Sequence, residues 1–133
     1  MSPDVTQISL WADREKGVLN PLIFSKSARE LSRTLAAQKG NKRTQIRKFY
    51  DEVLRLDQAA KKENPERWPN VLAQLHLLIP KAAYAQGRDL VSPEFVRFIQ
   101  NSVEQVKLPQ DLSVFANLFE AFMGFYKLDR PKD

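Results

Sequence analysis

Beyond residue 24, apolar positions recur at three- and four-residue spacing with polar residues between them, and the stripes they form predict five helices. From Ser25, read as an N-cap, Ala28, Leu31 and Leu35 mark the first helix, which Gly40 should stop. A second opens near Asn41 to Thr44 and carries Ile46, Phe49, Tyr50, Val53, Leu54 and Ala60 to its end at Asn64-Pro65. Asp57 falls on that apolar side, where it packs loosely or meets a partner. After Trp68-Pro69 the third stripe is Val71, Leu72, Leu75, Leu78, Ile79 and Ala82, and Pro80 should kink or break it before Gly87. Ser92 as N-cap and Pro93 at the first helical position open the fourth helix, with Phe95, Phe98, Ile99, Val103 and Val106 inward. The fifth follows Pro109, and its row of Leu112, Phe115, Ala116, Phe119, Phe122, Met123 and Tyr126 predicts the central helix of the bundle.

Residues 1–24 show no such period. They contain Pro3, Gly17, Pro21 and one apolar cluster, Ile8, Leu10 and Trp11, which suits an N-terminal arm packed on the body or a partly ordered end. No alternating strand bounded by turn residues is visible, and no repeat. The expected class is all-α: a compact bundle of about five helices in one domain, residues 25–133, preceded by the arm.

Composition narrows the chemistry. At 133 residues with 43% hydrophobic positions and eight Phe, the chain can bury one core without disulfides or a structural metal. Cysteine is absent, which removes thiol nucleophiles and thiolate metal sites and fits a reducing compartment. No apolar run reaches the length of about 20 residues that crosses a bilayer, and residues 1–10 lack a secretion signal, so a soluble cytoplasmic protein without membrane contact is expected. His76 is the sole histidine and sits between Leu75 and Leu77 as a structural residue. The carboxylate pairs Asp51 with Glu52 and Asp89 with Glu94 lack an apolar setting that would keep one protonated. Without a phosphate loop, a serine elbow or metal-ligand spacing, neither catalysis nor a metal nor a cofactor is expected.

Lys and Arg exceed Asp and Glu by 21 to 16, a net +5 whose placement matters more than its size. Lys42, Arg43, Arg47 and Lys48 lie within seven residues that hold no acid, at a predicted helix start. The helix dipole already presents positive charge and unpaired N–H groups there, so the run is unfavourable unless an anion relieves it. A phosphate backbone would do so, with Thr44 and Gln45 as neutral donors. The bland alternative is a solvated face with pairs Arg47–Asp51 and Lys48–Glu52, each worth a few tenths of a kcal/mol. Lys81 and Arg88 flank Tyr84 at a second helix end; they extend the basic surface, or Tyr84 is core and Arg88 answers the helix C-terminus.

TQIRKFYDEV at residues 44–53, LIPKAAYAQGR at 78–88 and FEAFMGFYK at 119–127 together resemble the small-subunit family of the type III-A CRISPR effector, the Csm complex. Order, spacing and length agree over residues 42–127, whereas residues 1–39 match loosely. The resemblance implies a helical bundle that stacks in several copies along an RNA-guided antiviral ribonucleoprotein, beside its backbone and large subunits. Those subunits hold the cleavage activities; the small subunit contacts guide RNA and target RNA without cutting. Carried over position by position, the basic motif falls on Lys42, Arg43, Gln45, Arg47 and Lys48, with Lys81 and Arg88 from the second motif as weaker members. Ile46, Phe49, Tyr50, Leu78 and Tyr84 are motif positions assigned to the core. A helical adaptor with only protein partners is the alternative. A helix-turn-helix around Gly40 is disfavoured because its second helix would bury Ile46, Phe49, Val53 and Leu54 rather than present a base-reading face.

Overall fold

A computed structural model describes residues 4–62 and 64–133. A π-helical turn, Ile23–Ser27, runs directly into α1, Ala28–Ala36; α2 spans Arg43–Lys62; a 3-10 turn, Pro65–Arg67, leads to α3, Trp68–His76; α4 is Leu78–Gly87, α5 is Pro93–Glu104 and α6 is Pro109–Asp129. The class is all-α, and the described residues hold no sheet, only one isolated bridge between Asp13 and Val18 that closes a turn at Gly17. Among the described residues five helical units are present, the third divided at Leu77 into α3 and α4. Pro80 explains the division: it has no N–H to offer the carbonyl of His76, and its ring crowds that carbonyl.

Local signals set most boundaries. Ser92 accepts from the Phe95 N–H at 3.3 Å with Pro93 following it, as the sequence predicts. The first helix departs from expectation, since Ser25 is not its cap but lies exposed within the π-helical turn. Its start belongs to Asn20-Pro21, the same polar-residue-plus-proline signal as Ser92-Pro93: Asn20 accepts from the Leu22 N–H at 3.0 Å through its side chain. Asp57 is settled as well. It is buried, accepts the Ser113 hydroxyl of α6 at 2.7 Å and pairs with Lys61 at 3.1 Å, so the last turns of α2 dock on α6 rather than standing loose.

The core is an aromatic spine along α6. Phe115, Phe119, Phe122 and Tyr126 are fully buried and repeat at one-turn spacing, while Phe95 and Phe98 of α5 enter from the side. Phe98 meets Phe119 edge-on at 5.5 Å and Phe122 stacks on Tyr126 at 4.9 Å. Such contacts add about 0.5–1.5 kcal/mol per pair to simple burial. On α2 the fully buried row includes Leu56, which the sequence reading omitted, whereas Leu54 is only half-buried. The arm packs on the body through Ile8 and Leu10, both buried, and through hydrogen bonds. The Leu10 N–H donates to the Gln105 side chain at 2.8 Å, and the Trp11 indole donates to Asp111 at 2.8 Å. Burial alone would raise the Asp111 pKa, but Arg14, two backbone N–H groups and Trp11 together hold it below the usual range.

A buried polar junction joins the helix ends. Asn41 has no exposed surface and a left-handed backbone, with φ at 56°. Its side chain accepts from the Ser92 N–H at 2.8 Å and donates to the Leu35 carbonyl and the Ser92 hydroxyl, while its own carbonyl accepts the Tyr126 hydroxyl at 2.5 Å. Replacing Asn41 with Ala should cost about 3 kcal/mol, from stranded buried donors and acceptors plus an unfavourable φ. Asn41→Gly keeps the conformation and should recover about 1 kcal/mol of that loss, read by urea denaturation; equal losses would refute the conformational part. Burial pushes the Tyr126 hydroxyl up to about 12, against a lowering by Arg130. Below pH 10 both states are protonated and the shift has no effect. Above it the unfolded chain ionises first, so stability should fall as pH rises toward 12. Tyr126→Phe should shrink that fall when unfolding is compared at pH 9 and pH 11.

Candidate nucleic-acid interface

Of the seven candidate residues, Arg43, Gln45, Arg47 and Lys48 lie on α2, Lys42 just precedes it, Lys81 is on α4 and Arg88 directly follows α4. Lys42 supplies the first carbonyl of the helix, accepting from the Gln45 and Ile46 N–H groups at 2.9 and 3.1 Å. Because Ile46, Phe49, Val53 and Leu56 fix the inward face, the polar residues divide to either side of it. Gln45 and Lys48 turn toward α4, whereas Arg43 and Arg47 turn toward α6.

On the α4 side a groove of about 560 Å³ gathers Gln45, Lys48, Lys81 and Arg88 around one opening, with Phe49, Leu78 and Leu90 beneath. The two basic segments, far apart in sequence, thereby become one surface. Lys42, Lys48, Lys81 and Arg88 form no ion pair among the described residues. The acid that lines this groove, Glu52, is engaged by Arg55 rather than by Lys48, so the expected Lys48–Glu52 pair is replaced by Glu52–Arg55. Tyr84 corrects the sequence reading: assigned to the core, it is 69% exposed, with the Arg88 guanidinium 5.9 Å from its ring centre. α4 is short and its apolar face is narrow, holding Leu78, Ala82 and Ala85, so Tyr84 falls outside it.

On the α6 side Arg43, Thr44 and Arg47 line a smaller hollow of about 300 Å³ with Lys127 and Asp133. Arg47 makes the expected pair with Asp51, at 3.8 Å and with both groups largely exposed, a geometry that contributes little. Part of the unfavourable helix start is relieved internally. The Arg43 N–H donates to the main-chain oxygen of Asp133 at 3.1 Å. The Asp133 carboxyl is held below the usual range, first by its hydrogen bonds from Arg130, with Lys42 and Arg43 adding to the effect. The α6-side cations thus already face the Asp133 carboxylate, whereas the carboxylate on the α4 side, Glu52, is held by Arg55.

His76 is exposed at the end of α3, and the described residues contain no group of three His, Cys, Asp or Glu able to hold a metal ion. No helix among them is long and apolar enough to cross a membrane. A protein-family model described as Csm2 Type III-A matches residues 20–132, which is most of the chain. No curated protein and no solved structure matches it.

Proposed function

The chain belongs to the Csm2 family of type III-A, and on that premise, as a small subunit of the Csm complex, we propose that it binds RNA backbone without cutting it. The observation that carries this reading is the convergence of Lys48, Lys81 and Arg88, unpaired by any described carboxylate, on one groove with Gln45 at its edge. Lys and Arg in such a cluster supply charge and donors to phosphate but little discrimination among bases. Lys42, Arg43 and Arg47 extend the contact around the start of α2 as a second strip, weaker because Asp133 and Asp51 already neutralise part of it. Guide RNA and target RNA are the partners this surface suits, within a cytoplasmic complex that includes backbone and large subunits and further copies of this chain.

Two experiments bear on the proposal. Anisotropy of labelled single-stranded RNA should give a logarithmic salt slope near −2, at about 0.7 per phosphate for three contacts. Reversing Lys48, Lys81 and Arg88 to Glu should flatten the slope and weaken binding to unrelated sequences alike, with helicity and thermal unfolding nearly unchanged because all three side chains are exposed. Wild-type behaviour in the triple variant would move the site to Arg43 and Arg47. Labelled RNA incubated with the chain and a divalent metal should stay intact. Cleavage that disappears when one of the chain's own carboxylates is replaced would overturn the non-catalytic assignment.

A further inference from the structure

We propose that Tyr84 is a stacking platform for one unpaired RNA base, seated in the groove between α2 and α4; the inference rests on the RNA-binding reading above. Phosphate contact alone requires cations on a surface, yet this groove has a second character. Its floor is apolar, formed by Phe49 and its neighbours, and its volume of about 560 Å³ lies within the range of about 300–1,000 Å³ typical of small-molecule sites. Tyr84 stands at the rim, 69% exposed, with Lys81 one turn before it and Arg88 one turn after. The Arg88 guanidinium lies over the ring at 5.9 Å, which steadies the ring and places positive charge beside the surface a base would occupy. Gln45 at the opposite edge offers both a donor and an acceptor to a base edge. An apolar floor, an aromatic rim and flanking cations suit a nucleotide, whose base is flat and apolar on its faces and whose phosphate is anionic.

The consequence is a preference that backbone contact does not produce. In continuous duplex RNA the bases are stacked inside and present only sugar, phosphate and groove edges, so no base reaches Tyr84. Single strands, bulges and splayed positions supply one. The groove therefore favours unpaired RNA, with little regard to which base it is, since every base has a stacking face.

The test uses the full chain with two probes: single-stranded oligoadenylate carrying one 2-aminopurine, and a blunt RNA duplex of the same length. Wild type should quench the 2-aminopurine on binding. Tyr84→Ala should abolish the quench and weaken single-strand affinity about tenfold, leave duplex affinity within about twofold, and keep the salt slope, because Lys48, Lys81 and Arg88 remain. Tyr84→Trp should retain both quench and affinity. Tyr84→Ala binding the single strand as tightly as wild type, or losing equally on single strand and duplex, overturns the stacking role. If charge reversal at Lys48 and Lys81 abolishes binding while Tyr84→Ala changes nothing, only the stacking role falls. If wild type binds neither RNA probe but binds polyglutamate, the RNA-binding reading falls with it.

Discussion

The Gly40-Asn41 link, with Asn41 fully buried, is the constraint from which the rest of the arrangement follows. Both residues have positive φ, and Gly40 passes so close to the Asp89 and Leu90 carbonyls that a Cβ would lie 3.2 Å from the first. The Asn41 N–H then donates to the Leu90 carbonyl at 3.0 Å, while its side chain and carbonyl tie the end of α1, the cap of α5 and Tyr126 of α6 to the same point. Two residues later α2 begins, and two residues before Leu90 lies Arg88. One junction thus sets the distance between the basic start of α2 and the end of α4, and Leu90 itself lines the groove between them. A buried polar cluster is costly when partly satisfied, but here the Asn41 side-chain oxygen, side-chain nitrogen, N–H and carbonyl all have partners, so the cluster rigidifies the position it occupies.

How much of this was legible in the sequence depends on whether a property is local. The periodicity of α5 and α6 exposes the aromatic spine because Phe95, Phe98, Phe115, Phe119 and Phe122 each repeat within their own helix. The Ser92-Pro93 start was legible for the same reason, and Asn20-Pro21 carried the same signal but was overshadowed by Ser25 a few residues on. Asn41 was not legible: as a sequence it resembles a cap, and its role rests on Ser92 and Tyr126, which reach it only in three dimensions. Tyr84 failed for a different reason. Once the third stripe breaks at Leu77, α4 turns a narrower face inward than a continuous helix would, and an amphipathic tyrosine at its margin goes to solvent. Of the candidate site, the residue types were visible as two basic runs and helical spacing separates Arg43 and Arg47 from Lys48; which neighbour each face meets, and the meeting of one face with Lys81 and Arg88, required the tertiary structure.

Charge placement separates the groove from the remainder of the surface. A net +5 decides little, since the acids could have been spent against the same cations. Instead Asp129 binds Arg29 and Ser32, Asp111 binds Arg14 and Trp11, Asp57 binds Lys61 and Ser113, and Glu52 binds Arg55. Several of these acids fasten one element to another, so they are unavailable to the groove for structural reasons. Lys48, Lys81 and Arg88 of the groove form no ion pair among the described residues, and they repel one another across distances that salt screens over about 8 Å at physiological strength. That repulsion is tolerable because the side chains are exposed, and on the proposed function a phosphate in the groove would relieve it.

The same arithmetic bounds what one subunit contributes on the proposed function. Three cations neutralise few phosphates, and each exposed contact is weakened by salt, so a single copy holds RNA weakly and releases it readily. Copies arrayed along one RNA change this without any new contact, because each later binding event occurs within the assembly at high effective concentration. Weak, sequence-tolerant contact per copy is also what an RNA-guided complex requires: its specificity resides in base pairing, and a subunit that read bases tightly would compete with the guide. On the proposed function, a groove built from unpaired cations on a rigid junction would meet that requirement, since the junction would fix where the contact is made and the exposed side chains would keep it adjustable.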